Sequence, residues 1–551
     1  ERYRGFHVND WDKCSGCYTC SKICPTDAIR MVPVDITVES GKKAQRPAID
    51  YGRCSFCAMC VDICTTGSLN MTREYIHISD DPGTFFFLPD ETGIHHDIPP
   101  MGYSRDENSE LLDLERVVMK ELPGEERIDS FIEFVKGYSR EQAIAEAARC
   151  VDCELCVEAC PVNMDIPRYI ESVFHDDTEE GANWIYKTNP LPSVCGRVCT
   201  HKCETVCSIG NRGKPLAIRW LKRYIMDQEK TEDVIRYALN GEVVKKVYGK
   251  VAIIGAGPAG LSAAYYLSLM GYSTTIFESK ALAGGVMRYG IPRYRLPDEA
   301  LDKDIEVIES LGVEIKCLTT VGKDVTLEEI RDEYDAVFLG TGFSKGRSTG
   351  VEGVDSEGVI MAIPLLEKIR DYLRQGDGEK PPVTDSVIVI GGGNVAMDAA
   401  RSVARIQKME RNHIDVKVTS LESMEEMPAD LEEILEGKEE GIKYFPSRGP
   451  KEVLLKDGKI YGLKTIACTR VFDDDSRFNP RFDESDLSTI EGTMIIEAIG
   501  QAPDYDFLPV EIKGEIQFIR GRILVNEKGQ TALAWLFAGG DIVNGPDIIH
   551  G

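Results

Sequence analysis

The stretch "KVAIIGAGPAGLSAAYYLSLMGYSTTIFES" (Lys250–Ser279) decides the architecture. Its apolar opening predicts a buried strand, and the alanine-rich run predicts a helix. Gly255, Gly257 and Gly260 predict a turn between them that lets a ligand approach the backbone closely. A second strand ends at Glu278, where a carboxylate can accept hydrogen bonds from ribose hydroxyls. G-x-G-x-x-G alone is weak evidence. Between a strand and a helix, with an acid following, it reads as a dinucleotide site whose pyrophosphate meets a helix N-terminus.

The pattern occurs twice. "VIVIGGGNVAMDAAR" (Val387–Arg401) places Gly391, Gly393, Asn394 and Ala396 in a second turn of this kind, and "EAIGQAP" (Glu497–Pro503) marks a return to the first domain. Two fingerprints predict two Rossmann-like domains, the second inserted in the first. Downstream of the second turn, "VKVTSLESMEEMPAD" (Val416–Asp430) supplies acids where the ribose should be read.

Lys and Arg number 64 against 92 Asp and Glu, a formal charge of -28. A nucleic acid or an anionic membrane surface would be repelled. No apolar run reaches the roughly 20 residues of a membrane helix, and no signal-peptide pattern opens the chain, so a cytoplasmic protein without membrane insertion is expected. The sequence starts without Met and stops inside an apparent motif, so residues are expected beyond both ends.

Of the 18 cysteines, sixteen fall into four groups before residue 210. Dense C-x-x-C spacing in a large acidic chain points to metal ligation rather than disulfides. Cys14, Cys17, Cys20 and Cys24 form one C-x2-C-x2-C-x3-C run, and Cys54, Cys57, Cys60 and Cys64 repeat it. This is the two-cluster ferredoxin signature, in which the fourth cysteine of each run ligates the other cluster. One [4Fe-4S] cluster is thus assigned Cys14, Cys17, Cys20 and Cys64, and the other Cys54, Cys57, Cys60 and Cys24. The third group is Cys150, Cys153, Cys156 and Cys160, introduced by a helix with Ser139 as N-cap and Glu141 in its first turn. The fourth is Cys195, Cys199, Cys203 and Cys207. The intervening segment is turn-rich, and its adjacent His95 and His96 read as solvated loop residues.

"RPAIDYGRCSFCAMCVDIC" (Arg46–Cys64) resembles the two-cluster subunit of respiratory complex I and related hydrogenases, a resemblance covering residues 10–75, although Thr65 stands where proline is usual. "FIEFVKGYSREQAIAEAARCVDC" (Phe131–Cys153) and "NPLPSVCGRVC" (Asn189–Cys199) resemble the helical iron-sulfur domain of the glutamate synthase small subunit. That domain is shared with dihydropyrimidine dehydrogenase and with the large subunit of the bifurcating NADH-dependent ferredoxin:NADP oxidoreductase. The resemblance implies two further [4Fe-4S] clusters, one on Cys150, Cys153, Cys156 and Cys207 and one on Cys160, Cys199 and Cys203. The fourth ligand of the latter is open. Family members carry Gln or Glu at the position of Lys222, whose ammonium has no lone pair, so Cys195 is the candidate.

"GGVMRYGIPRYRLP" (Gly284–Pro297), "AVFLGTG" and "LFAGGDIVNGP" resemble FAD-contacting segments of the same family and imply that Gly285, Arg295 and Asp541 touch the flavin. NADPH-dependent relatives have an Arg-Arg pair where this chain has Leu421 and Glu422. An anion repels a 2'-phosphate and can hold a ribose diol, so NAD(H) is expected as substrate rather than NADP(H). Arg411 is the competing phosphate contact. Cys317 and Cys468, far apart in sequence, give no support to disulfide reductase chemistry.

The expected fold is a multidomain α/β chain: a ferredoxin domain (1–78), a linker (79–138), a helical iron-sulfur domain (139–245), an FAD domain (246–382 and 496–551) and an NAD(H) domain (383–495). The expected function is an NAD(P)H-linked oxidoreductase subunit that connects NADH, FAD and four [4Fe-4S] clusters to ferredoxin or to other redox subunits of a complex, with no catalytic side-chain acid or base. The resemblance admits an electron-bifurcating transhydrogenase, hydrogenase or formate dehydrogenase of an anaerobe as the setting. The alternatives are a glutamate synthase small subunit and a wiring or assembly subunit without turnover.

Overall fold

The computed structural model describes residues 4–38, 41–90, 112–238, 248–375, 379–475 and 477–545; His95 and His96 lie outside them. The chain forms two units, 1–119 with 137–238, and 120–136 with 239–551.

In the first unit, His7–Asn9 pairs antiparallel with Leu69–Met71, and Gln45–Asp50 lies between Ile29–Pro33 and Phe86–Phe87. Phe6, Ile29, Ile49, Val61, Leu69 and Met71 form a small core between the cysteine runs. The helical domain that follows opens with Arg140–Ala147. Ser139 caps this helix in a reciprocal capping box with Gln142. Helix Pro192–Val198 packs so tightly on Ile218–Gln228 that a methyl on Gly196 would lie 2.9 Å from Arg223 Cα.

The second unit holds two parallel five-stranded sheets. The first runs in spatial order Leu536–Ala538, Ala336–Leu339, Lys250–Ile254, Ser273–Phe277, Glu314–Lys316. The second runs Val359–Met361, Met494–Glu497, Val387–Ile390, Val416–Thr419, Lys443–Phe445. Their central strands are continuous apolar runs, as burial on both faces demands. The outgoing and returning passages between the lobes pair as an antiparallel ribbon, Phe343–Gly346 with Gln501–Pro503. The second sheet therefore begins before residue 383. Strand Val359–Met361 has only three residues and no glycine signature by which to read it in advance. A three-stranded antiparallel sheet, Arg448–Lys456, Lys459–Phe472 and Phe478–Glu491, is appended to this lobe.

Residues 120–136 are more than the linker expected of them. Ile128, Phe131 and Phe134 enter the core of the second lobe beside Val387, Val403 and Val418. Arg127 joins a buried ionic network there. The Glu440 carboxylate accepts from Arg127 Nε at 2.8 Å, from Arg401 at 2.9 and 2.7 Å, and from Arg405 at 2.7 and 2.9 Å. Burial raises the pKa of Glu440, but Arg401 and Arg405 outweigh it and hold the group at about 2, below its ordinary 4.5. A depressed folded-state pKa means stabilisation that is present above the unfolded value and lost as pH falls through the folded one. Glu440→Gln is expected to cost about 3–5 kcal/mol at neutral pH, since it leaves buried guanidinium charge without its counter-ion. In urea titrations the gap to wild type should shrink as pH falls from about 4.5 toward 2.

Candidate functional site

The first glycine turn lies where the strand order reverses, at the C-terminal ends of Lys250–Ile254 and Ala336–Leu339, the position where open parallel sheets bind ligands. Each glycine is required for a different reason. Gly255 has φ +100, and a methyl on it would lie 2.7 Å from Gly340 O. A methyl on Gly260 would lie 1.9 Å from Gly255 O, so helix Pro258–Leu269 can approach the strand only without a side chain there. Gly257 faces open space at the helix N-cap, where a pyrophosphate would come in. Gly285 packs on this turn, its added methyl meeting Gly257 Cα at 2.8 Å. Glu278 Oε2 accepts from Ala256 N–H at 2.8 Å, and Oε1 accepts from Lys280 N–H at 2.8 Å. Asp541 opens helix Asp541–Asn544, and its Oδ2 lies 3.9 Å from where a methyl on Gly342 would sit. These residues fit a dinucleotide: close backbone, a helix N-terminus and two carboxylates.

Arg295 is placed elsewhere. Its Nη1 donates to Asp398 at 2.8 Å and its Nε lies 2.8 Å from Glu433, both in the second lobe. Tyr294 beside it is buried under the Arg405 and Arg401 guanidiniums, 3.8 and 5.0 Å from its ring centroid. This geometry gives Arg295 the role of a clamp between the lobes.

The second turn repeats the first with one change. Gly391 (φ +144) packs under Ala498 O, Gly393 faces open space, and Ala396 is fully buried at the third position. Asn394 is clasped by Asp430, donating to Oδ2 at 3.1 Å and accepting from Asp430 N–H at 2.8 Å. Sequence reasoning missed Asp430 and also Gly392. A methyl on Gly392 would lie 2.9 Å from Glu422 Oε2, which puts that carboxylate against the turn. Arg411 is committed to Asp385 at 3.2 Å and to Val383 O at 2.7 Å, at the far end of helix Asn394–Arg411. Arg448, whose N–H donates to Ser420 O, is paired with Asp486 at 2.8 Å.

The cysteine runs share one backbone. The residues on either side of the second cysteine are left-handed in all three C-x2-C-x2-C loops: Gly16 and Tyr18, Phe56 and Ala58, Asp152 and Glu154. Left-handed backbone is costly for side chains such as these, and its repetition marks a common ligand geometry. Cys24, Cys54, Cys57 and Cys60 line one cavity, and Cys150, Cys153, Cys156 and Cys207 line another. The first grouping is the crossed set assigned from the spacing, and the second is the set the resemblance implied. Cys20 is pushed up chiefly by burial, with Cys17, Cys60, Cys64 and Cys14 adding to it, so cysteines of both runs act on it. Burial pushes the Cys150 and Cys203 thiols up to about 12, so thiolates there need a neighbouring cation. Among the described residues no group closes tightly enough for a single metal ion, and no cysteine is in a disulfide. Backbone N–H groups of Phe56, Ala28, His201 and Leu216 point at cysteine sulfurs at 3.3–3.4 Å. Together these features fit cubes held by four thiolates.

His7 also went unread in the sequence. It is buried, with Nε2 3.3 Å from Cys60 Sγ and Nδ1 3.0 Å from the Tyr51 hydroxyl. Burial lowers its pKa to about 4, so the ring is neutral. With Tyr51 donating to Nδ1, its Nε2–H is directed at the sulfur.

Comparison with known proteins matches this layout. Residues 249–551 match the family described as Pyridine nucleotide-disulphide oxidoreductase, residues 127–234 the dihydropyrimidine dehydrogenase domain II with its 4Fe-4S cluster, and residues 13–69 a 4Fe-4S dicluster domain. The chain belongs to the pyridine nucleotide-disulphide oxidoreductase family. Among its relatives is the NADP(+)-dependent formate dehydrogenase subunit beta of Moorella thermoacetica, 38% identical over 71% of this chain and 56% of that one. The glutamate synthase [NADPH] small chain of Escherichia coli is 32% identical over 80% of this chain and 94% of its own length. The NAD-dependent dihydropyrimidine dehydrogenase subunit PreT of Escherichia coli is 35% identical over 62% and 81%. The chain spans about three-fifths of the length of the first relatives it matches. Despite the family's description, Cys317 and Cys468 are both free thiols in this member. No helix among the described residues is long and apolar enough to cross a membrane.

Lys222 is buried on helix Ile218–Gln228. Burial pulls the pKa of its ammonium down, but Cys199, Cys195, Cys203 and Cys160 together outweigh this and the net shift is upward. Cys195 thus acts on the same ammonium as Cys160, Cys199 and Cys203. Cys195→Ser is expected to lower bound iron and sulfide by one cube, and adding Lys222→Glu should restore them by supplying a carboxylate ligand. Cys468→Ser, the control, should leave the iron content unchanged.

Proposed function

We propose that this chain is an NAD(H)-dependent iron-sulfur flavoprotein subunit that moves electrons between NADH and four [4Fe-4S] clusters, and from these to or from ferredoxin or a partner redox subunit. FAD, when bound, supplies the exchange between a two-electron hydride and single electrons. The first glycine turn, Glu278, Gly285 and Asp541 would hold it. The second turn, with Gly391, Gly393, Asn394 and Ala396, would hold the nicotinamide dinucleotide. The clamp of Arg295 on Asp398 and Glu433 keeps the two lobes in register.

The observation that carries the choice of nucleotide is the Glu422 carboxylate set against Gly392. There it can accept from the 2'- and 3'-hydroxyls of NAD, and its charge opposes a 2'-phosphate. Arg448, whose N–H donates to Ser420 O, is paired with Asp486, and Arg411 is held by Asp385 at the far end of the helix. NADP(H) is the second reading, because relatives described as NADP- or NADPH-linked stand beside the NAD-dependent one. A glutamate synthase small-subunit role predicts NAD(P)H oxidation dependent on glutamine and 2-oxoglutarate once a large partner is supplied.

Anaerobic titration should show NADH bleaching the flavin and then raising cluster signals, with NADPH much slower. Glu422→Arg should move the ratio of the two nucleotides' kcat/KM toward NADPH by roughly 10- to 100-fold, the worth of one charge-assisted hydrogen bond gained and one repulsion lost. Preferential reduction of wild type by NADPH would reverse the assignment. No reduction by either nucleotide would favour a wiring subunit.

A further inference from the structure

The two ferredoxin-type loops have the same sequence pattern and the same backbone but opposite surroundings. Loop Cys14–Cys17 is covered. Ser15 is buried, its carbonyl accepts from Lys43 N–H at 2.9 Å, and a methyl on Gly16 would lie 2.5 Å from Lys43 O. The covering segment faces the helical domain, with Lys43 Nζ 3.5 Å from Glu154 and 3.7 Å from Glu158. Lys22 donates to Asp152 O at 2.6 Å, and Arg212 donates to Asp62 O at 3.3 Å. Between them Ile63, Leu112 and Ile209 form an apolar cluster that takes in Val151 and the ligand Cys207. Ile63 adjoins Cys64 in sequence and Val151 adjoins Cys150, so this cluster spans from one cysteine set to the other. Consistent with this proximity, the Cys153 thiol is shifted upward by burial first and, among smaller causes, by Cys17.

Loop Cys54–Cys57 is open. Arg53, 3.5 Å from Asp50 and 3.8 Å from Asp27, is exposed with Ser55, and so are Pro25, Thr26 and Asp27 on the facing segment. Every residue lining its cavity comes from positions 7–60. Arg4 lies on this loop, donating to Cys57 O at 2.7 Å. Charge distinguishes the domain as well: residues 1–78 hold ten Lys and Arg against nine Asp and Glu, net +1 before two cubes of about -2 each are counted, in a chain of net charge -28. An acidic protein is repelled by the rest of the chain and least opposed here.

We propose that the rim of the Cys54–Cys57 loop, with Arg4 and Arg53, is the docking surface for an acidic one-electron carrier protein, and that the Cys14–Cys17 loop is the internal junction with the helical domain. The inference rests on the proposed function for its source of electrons. One electron leaves the chain at each docking event with no bond made or broken. Oxidation of one NADH to NAD+ and a proton reduces two carriers.

The test uses the full chain with its clusters and flavin, NADH as reductant, and an acidic two-cluster ferredoxin as probe. Arg53→Glu is expected to raise the KM for the probe about tenfold and to flatten its dependence on salt, with the rate of flavin bleaching by NADH unchanged. An unmoved KM would overturn the docking surface. Wild type that NADH does not bleach would instead sink the functional reading beneath it. The junction is tested without NADH, in dithionite-reduced samples, by electron paramagnetic resonance. Cys17→Ser should slow the spin relaxation of the Cys150 cluster several-fold, and Cys57→Ser should leave it near wild type. An equal or larger effect of Cys57→Ser would overturn the arrangement. If either variant loses other clusters, a stepwise potentiometric reduction of wild type decides the same question: broadening of the Cys150 signal must follow reduction of the Cys14 cluster.

Discussion

One carboxylate organises the nucleotide-binding part of this protein. Glu440 accepts from three guanidiniums at once, and each arrives from a different place: Arg127 from the 120–136 segment, and Arg401 and Arg405 from successive turns of the helix behind the second glycine turn. Tyr294, which belongs to the first lobe by sequence, is covered by two of these cations, and Arg295 extends the network to Asp398 and Glu433. Charges this deeply buried are tolerated only when every one has a partner of good geometry. The network therefore permits few arrangements of the two lobes, and a hydride donor and acceptor bound in separate lobes need that restriction to meet at contact distance.

The iron-sulfur part has a different constraint. Three cysteine loops hold non-glycine residues in left-handed backbone at matching positions, which directs N–H groups inward at sulfur. Such strain persists where the surroundings over-determine it. Thiols pushed upward by burial are not stable anions by themselves, and among the described residues no group closes tightly enough for one ion. Strain, burial and cysteine spacing point to the same ligand class, and no one of them would do so alone. The His7 and Tyr51 pair adds a hydrogen bond to Cys60, at the cysteine set whose rim is open to solvent.

Nucleotide choice turns on a smaller contrast. Related chains described as NADP-linked and as NAD-linked share this architecture, so the fold does not discriminate between the two. The local feature that bears on the proposed choice is charge: Glu422 lies against the turn, and Arg448 is paired with Asp486.

The glycine fingerprints, the cysteine spacing and the apolar strands were legible in the sequence because each is a local pattern whose partners are close in the chain or repeat at a set interval. Gly257, Gly260 and Gly391 were readable from position alone, since each is demanded by a turn only a few residues long. The first two cysteine runs offered a crossed assignment by spacing because the motif occurs twice, whereas the third and fourth groups were assigned through a family resemblance. What only tertiary structure decided depends on partners far apart in sequence. Arg295 was assigned to flavin by its motif and lies on carboxylates more than a hundred residues away. Residues 120–136 were read as part of a linker because the stretch after the second cysteine run holds no cysteine and is turn-rich, and they are ordered by a core built from residues 294–496. Likewise, two cysteine loops of one sequence pattern became a covered junction and an open rim only because the helical domain packs against one of them. Local patterns specify the backbone at a site, and long-range burial and charge pairing decide what that site faces.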